Sequence, residues 1–158
     1  MNKTIDQWLN EYGESHQNKT NKLIHWFCVP IITFTLLGIL SIFQFEFSIN
    51  NGTYIINPAG ILIIIAILFY LRLSFTLTIG MFLFSASCFL LIKDLENTYQ
   101  FKELLSFYII TFILAWIGQF IEHRIEGKKP SFLKDIQFLL IGPAWLLSFI
   151  YKKINISL

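Results

Sequence analysis

The segment LLSFYIITFILAWIGQFIEHRIEGKKP, residues 104–130, joins an apolar run to a cluster of charged and polar groups. Its first part, 104–121, contains no charged residue and approaches the roughly 20 residues that a helix needs to cross a bilayer. Acidic, basic and imidazole side chains then follow at Glu122, His123, Arg124 and Glu126. Carboxylates and imidazoles bind metals and protons. A charged end that only stops a membrane helix does not require such groups. The segment therefore predicts a membrane helix whose end belongs to a functional site.

The composition indicates a membrane protein. Of the 158 residues, 55% are hydrophobic and 14% are charged, whereas about 25% are charged in soluble domains. The mean hydropathy of +0.62 agrees. The net charge of +2 is small and the basic residues are scattered, so we expect no nucleic-acid partner. Cys28 and Cys88 lie in apolar runs and are interpreted as buried thiols.

The apolar runs predict an all-α fold: an integral membrane helical bundle of four to five transmembrane helices with a short N-terminal interfacial helix. The expected parts of this single domain, 1–158, are an interfacial segment 1–22, transmembrane helices 23–45, 55–71, 73–92 and 104–121, and a transmembrane or re-entrant helix 136–151. Within the first segment, apolar side chains recur at helical spacing at Ile5, Trp8, Leu9 and Tyr12. Such a face rests on lipid head groups or caps a bundle.

The number of crossings determines where the histidines lie. Four crossings before residue 121 would return the chain to the side of the membrane that holds its N-terminus. His16, His25 and His123, the three histidines of the chain, would then share that side. Most of the 12 Lys and Arg residues fall there too, and the positive-inside rule makes it the cytoplasmic side.

The spacing of polar residues along two predicted helices indicates two sides, or walls, of one site. On the last part of the helix at 104–121 and its continuation, side chains three or four positions apart share one face: Trp116, Gln119, His123 and Glu126. Glu122 is likewise four positions before Glu126. On the other wall, Asn21, a candidate N-cap, and His25 are also four positions apart. The break NKTN between His16 and His25 allows the chain to fold back and bring the two imidazoles together.

Three imidazoles on one side of the membrane predict a metal site that oxygen from Glu126, Glu122 or water would complete. No cysteine belongs to this cluster, which argues against a closed structural zinc site. Simpler interpretations stay open: each histidine could be a solvated helix end, and the charges after residue 121 could only stop the helix. Lys19 and Lys22 are then lipid-facing anchors.

Two motifs resemble the Mpo1-like family over the whole length of the chain. The N-terminal motif is Y-x3-H-x4-N-x3-H-x4-P, formed by Tyr12, His16, Asn21, His25 and Pro30. The second is Q-x3-H-x2-E-x3-P, formed by Gln119, His123, Glu126 and Pro130, with Trp116 before it and Gly142 and Pro143 after it.

The resemblance implies an Fe(II)-dependent membrane dioxygenase that shortens 2-hydroxy fatty acids by one carbon. This is an α-oxidation that belongs to sphingolipid degradation, uses O2 as co-substrate and releases C1 as CO2. Zn or another divalent metal could replace iron in a purified sample. Members of the family lie in the endoplasmic reticulum membrane of eukaryotes, and bacterial relatives would lie in the cytoplasmic membrane.

Carried onto this chain, the resemblance makes His16, His25 and His123 the metal ligands, and we add Glu126 to them as a catalytic group. Supporting groups or extra ligands are Tyr12, Asn21, Gln119, Glu122 and Glu126. As our own hypothesis, the substrate carboxylate pairs with Lys22, Arg124 or Lys128.

Three other functions fit the same residues. One is a metal-dependent membrane hydrolase, in which Glu126 acts as base for a metal-bound water. Another is a non-enzymatic membrane interaction protein, in which the histidines have no catalytic role. The last is a haem protein with two histidine ligands.

Overall fold

The computed structural model describes residues 3–49, 52–129 and 136–158. These ranges contain six helices and one two-stranded antiparallel hairpin. The elements are α1 (Ile5–Gly13), α2 (Lys19–Ile42), β1 (Phe45–Ile49), β2 (Gly52–Ile56), α3 (Pro58–Leu71), α4 (Phe75–Thr98), α5 (Phe101–Glu126) and α6 (Phe138–Lys153). The structure is thus mostly helical, as predicted.

Helices α2 and α5 form the most extensive helix pair and run antiparallel. Near one end, His25 of α2 hydrogen-bonds Glu122 of α5, and near the other end the rings of Phe43 and Phe101 lie 6.2 Å apart. Glycine allows the close approach of the two helices. A methyl group added at Gly38 would lie 2.6 Å from ring carbons of a tyrosine on α5. Small residues at such contacts are typical of membrane helix pairs.

Three helices, α2, α4 and α5, are long and apolar enough to cross a membrane. Their 24, 24 and 26 residues correspond to about 36–39 Å of helix, against about 30 Å of hydrocarbon. The 14 residues of α3 reach only about 21 Å. Many large apolar side chains of these helices are exposed, as expected for surfaces in contact with lipid. The finer count of four to five spans stays a prediction.

The hairpin β1–β2 corrects the all-α prediction. Its register pairs Phe45 with Ile56 and Phe47 with Tyr54, so these four side chains lie on one face. The other face carries the Glu46–Ile55 pair. Alternation of this kind is a strand pattern. The prediction assigned only residue 45 and residues 55–56 of these strands to helices, because the apolar runs on both sides continue into them.

Helices α1 and α6 cover the end of the bundle at which α2 begins. The apolar face predicted for α1 is buried, and the ring of Trp8 packs edge-on against Phe138 of α6 at 5.1 Å. Toward the other end of α6, the hydroxyl of Tyr151 donates to the backbone carbonyl of Thr76 at the start of α4. Both ends of α6 therefore contact the same end of the bundle.

The close contact of α2 and α5 predicts a specific sensitivity to side-chain volume. We expect Gly38→Ala to destabilise the protein by about 1–3 kcal/mol, because the tyrosine ring opposite cannot move aside without repacking. Gly60→Ala is the matched control, because nothing lies within 4 Å of a methyl group there. Thermal unfolding in detergent, followed by circular dichroism, measures both. Equal midpoints for the two variants would contradict the tight contact.

Candidate metal centre

His16 is positioned by the turn that ends α1. Its Nδ1 lies 2.9 Å from the carbonyl oxygen of Tyr12, and its ring stacks on the Tyr12 ring at a centroid distance of 4.5 Å. A carbonyl only accepts, so Nδ1 carries the proton and donates. The lone pair of Nε2 is then available. This nitrogen is buried and has no hydrogen-bond partner among the described residues.

Glu122 and His123 lie in the last turns of α5 and complete a compact group with His16. Oε1 of Glu122 lies 3.7 Å from Nε2 of His16 and 3.9 Å from Nε2 of His123. One ligand atom of each of the three residues falls within 4.8 Å of the others. His16 and Glu122 are fully buried, and His123 is 5% exposed.

The chemistry of these donors fits a divalent transition metal. Within the described ranges, Nε2 of His16, Oε2 of Glu122 and Nδ1 of His123 are buried without a hydrogen-bond partner. Buried polar atoms are normally paired, so several unpaired ones on neighbouring residues are donors that a bound cation would satisfy. Two imidazoles and one carboxylate are a donor set that Fe(II) accepts.

His25 has a different arrangement from the other two histidines. Its Nδ1 lies 2.8 Å from Oε1 of Glu122, and its Nε2 lies 3.2 Å from the hydroxyl of Tyr12. Burial, and to a lesser degree the charge of Glu122, raise the pKa of the Tyr12 phenol well above its usual range. Tyr12 therefore keeps its proton and donates to Nε2, while Nδ1–H donates to Glu122.

The structure thus brings all three predicted histidines together but gives them different contacts. The rings of His16 and His25 lie 4.5 Å apart, and those of His16 and His123 lie 5.2 Å apart. His16 and His123 each offer an unpaired ring nitrogen, whereas both nitrogens of His25 are engaged. In this arrangement His25 contacts the carboxylate that a metal would use.

Two further polar residues hold the walls together. The side-chain amide of Asn21 donates to the backbone carbonyl of Glu122 at 3.2 Å, which joins α2 to α5. The prediction that Asn21 is the N-cap of α2 is wrong. Asn18 has that role, because its side chain accepts from the backbone at the start of α2. The helix begins earlier because the chain turns before Lys19.

Glu126 lies beside the group and is engaged elsewhere. Its two carboxylate oxygens accept the backbone N–H groups of Gln17 and Asn18, each at 2.8 Å. These bonds fix the loop between α1 and α2 against the end of α5. The sequence spacing pointed to Glu126, whereas the structure places Glu122 among the histidines. Glu122 lies about 60° from Gln119 around the helix axis. A broader definition of the polar face of α5 would therefore have included Glu122.

Of the three cations predicted to bind the substrate carboxylate, Arg124 and Lys128 lie at a groove beside His123 and Lys22 does not. A groove of about 610 Å³ reaches His123 and is bordered by Arg124 and Lys128, with apolar side chains of α5 on its floor. The ammonium group of Lys128 also donates to the backbone carbonyl of Glu14 at 2.6 Å. Lys22 is half-buried near the start of α2 and is not among the described residues of this groove.

Removing the central carboxylate should reduce metal affinity. We expect Glu122→Gln to weaken Zn²⁺ binding by about tenfold to a hundredfold or more, the loss typical even of supporting groups. Glu126→Gln is the matched control on the same helix, since its oxygens are held by backbone N–H groups. Calorimetric titration of the metal-free protein measures both affinities. A loss confined to Glu126→Gln would contradict this assignment.

The contacts of His25 predict a different result from those of His16. We expect His16→Ala to abolish stoichiometric metal binding, because a donor nitrogen is lost. His25→Ala should retain one metal per chain at about tenfold to a hundredfold lower affinity, since it removes hydrogen bonds to Tyr12 and Glu122 but no metal ligand. Metal analysis after dialysis gives the stoichiometry. Equal loss of metal in both variants would make His25 a direct ligand instead.

Comparison with known proteins gives one match. The sequence profile of the family described as 2-hydroxy-palmitic acid dioxygenase Mpo1-like matches residues 2–154. No curated protein and no solved structure matches the chain. The matched range includes both walls of the metal group, from His16 on one side to Glu122 and His123 on the other. Because the match covers nearly the whole chain, the protein belongs to the Mpo1-like family.

Proposed function

We propose that this protein is a metal-dependent membrane dioxygenase that shortens 2-hydroxy fatty acids by one carbon. The observation that carries the proposal is the buried group of His16, Glu122 and His123, with unpaired donor atoms at the end of an apolar helical bundle. The family description supplies the substrate class, a 2-hydroxy acid with a long acyl chain.

The proposed metal is Fe(II), held by His16, Glu122 and His123, with His25 as a ligand if its hydrogen bonds rearrange. Imidazole and carboxylate ligands also accept Zn²⁺ and other divalent ions, so a substitute metal in a purified sample is expected. When bound, the metal would supply a redox centre for O2 and a charge to which the substrate's oxygens bind.

The proposed reaction is an oxidative loss of C1. One 2-hydroxy acid and one O2 give the acid with one carbon fewer, CO2 and water. The C1–C2 bond breaks, C1 leaves as CO2 and C2 becomes the new carboxyl carbon. O2 is the oxidant, and it is fully reduced to the level of water and carboxyl oxygen. Such fatty acids arise in sphingolipid degradation, which is the pathway we propose for this activity.

The residues around the metal group have supporting roles in the proposal. Tyr12 and His25 hold Glu122 in place through two hydrogen bonds, and burial keeps bulk water away from the carboxylate. Arg124 and Lys128 border the groove that reaches His123, and we propose that this edge receives the substrate carboxylate. Lys22 remains a further candidate for that pairing.

We also propose a location for the site. Helices α2 and α5 are long and apolar enough to cross a membrane and carry the metal group at one end, which supports a site near a membrane surface. The excess of basic residues on that side favours the cytoplasmic face. The membrane would be the cytoplasmic membrane of a bacterium or the endoplasmic reticulum membrane of a eukaryote.

Turnover of a defined substrate tests the proposal. We expect Fe(II)-loaded protein to consume O2 with 2-hydroxypalmitate and to form the acid one carbon shorter, detected by mass spectrometry. His16→Ala and His123→Ala should each lower the rate by about a hundredfold or more, because effects of this size follow loss of a metal ligand or its support. Ser87→Ala, on the exposed side of α4, is the control and should keep the wild-type rate.

Two outcomes would contradict the proposed function. The first is wild-type protein that binds no metal and consumes no O2 with this substrate. The second is a shortened product formed without consumption of O2, which would instead favour a hydrolytic or other metal-dependent reaction.

A further inference from the structure

A second, narrower opening reaches His123 from inside the helical bundle. It is a crevice at the junction of α2, α5 and α6, with about 40 Å³ of space. Half-buried Ile32 and Trp116 and exposed Leu139 form part of its wall, so the crevice opens sideways toward the surface that faces lipid. It is distinct from the groove bordered by Arg124 and Lys128, although His123 belongs to both.

The polar side chains of this crevice differ in whether they are paired. The hydroxyl of Thr33 donates to the carbonyl of Val29 at 3.0 Å, and the hydroxyl of Tyr12 contacts His25. In contrast, Nε2 of Gln119 is buried and makes no hydrogen bond to a nitrogen or oxygen atom of the described residues. Its side chain lies beside the thiol of Cys28, a weak partner.

Gln119 lies four positions before His123 on the same face of α5, one helical turn further into the bundle. An amide N–H group at this place can donate to an oxygen that is attached next to the group held at the metal. A buried donor without a partner is costly, and buried polar groups are normally satisfied. The crevice is therefore prepared for a ligand that brings an acceptor oxygen to this depth.

We propose that Gln119 donates a hydrogen bond to the C2 oxygen of the substrate and thereby selects 2-hydroxy acids over unsubstituted fatty acids. This inference rests on the proposed function. A space of 40 Å³ holds only a few water-sized groups, so it accommodates C2 and its hydroxyl beside His123, with C1 directed toward the edge formed by Arg124 and Lys128, and not the long chain. The acyl chain then leaves the crevice past Ile32, Trp116 and Leu139 into the lipid.

The selectivity has a physical basis in the unpaired donor. An unsubstituted acid that occupied the crevice would bury the Gln119 amide against methylene groups and leave it unpaired. Sites that are built to hydrogen-bond a substrate group discriminate well against analogues without that group. For one neutral hydrogen bond, we expect a preference of about tenfold.

Binding measured without turnover tests this inference. We would load wild-type protein and Gln119→Met with Zn²⁺ in lipid nanodiscs and measure the Kd values of 2-hydroxypalmitate and palmitate. Methionine keeps the length and the unbranched shape of the side chain but has no donor. We expect the wild-type preference for 2-hydroxypalmitate to fall by about tenfold in Gln119→Met, mainly through weaker binding of the hydroxy acid.

Thr33→Val is the matched control in the same crevice. It also removes a polar hydrogen, but this one is already bonded within α2, so any change should affect both acids equally. Gln119→Leu provides a second variant if Gln119→Met does not fold. Bound Zn²⁺ and the circular dichroism spectrum establish that each variant retains the site.

The possible results separate this inference from the proposed function. If wild-type protein turns over 2-hydroxypalmitate but Gln119→Met and Gln119→Leu keep the wild-type preference, the role of Gln119 is wrong and the proposed function stands. If Thr33→Val loses the preference as strongly, the selection comes from the shape of the crevice and not from Gln119. If wild-type protein neither binds metal nor consumes O2, the proposed function itself fails.

Discussion

The buried carboxylate of Glu122 is the constraint on which this end of the molecule depends. It lies 2.8 Å from Nδ1 of His25 and within 3.9 Å of nitrogens of His16 and His123. A charge removed from water needs partners of opposite charge or hydrogen-bond donors, and one partner lost leaves a large penalty. The three histidines come from the α1–α2 loop, α2 and α5. The carboxylate therefore ties together segments that are about 100 residues apart in sequence.

Much of this arrangement could be predicted from the sequence because it follows from helical periodicity. Residues at spacings of three and four placed Gln119 and His123 on one face, and they do lie at one crevice. The same spacing favoured Glu126 over Glu122, since Glu126 lies nearer the centre of that face. The structure places the deeper Glu122 among the histidines because the partner helix α2 approaches one edge of the face. Which edge a neighbour approaches is a tertiary property that periodicity does not contain.

The parts of the fold that could not be predicted are those set by pairing between segments and not by helical periodicity. Residues 45–49 and 52–56 form paired strands although they adjoin strongly apolar helices, because pairing with a neighbouring strand stabilises a segment with an alternating pattern. For α6, length and composition alone left its path open. Its place across the bundle end depends on bonds such as that from the Tyr70 hydroxyl to the carbonyl of Leu140. Such bonds join residues 70 positions apart and have no local signal.

Distance from the end of the bundle explains why charged side chains lie on one side of His123 and a neutral amide lies on the other. Arg124 and Lys128 lie at the open end, where their charges reach water while apolar residues of α5 continue below them. Gln119, one turn deeper, is neutral, because a charge at that depth would cost several times more than an amide. An amphiphilic acid has the same gradient, with a charged carboxylate, a neutral hydroxyl at C2 and then an apolar chain. The polarity along α5 therefore changes in the same order as the polarity along such a ligand, which supports the proposed class of substrate.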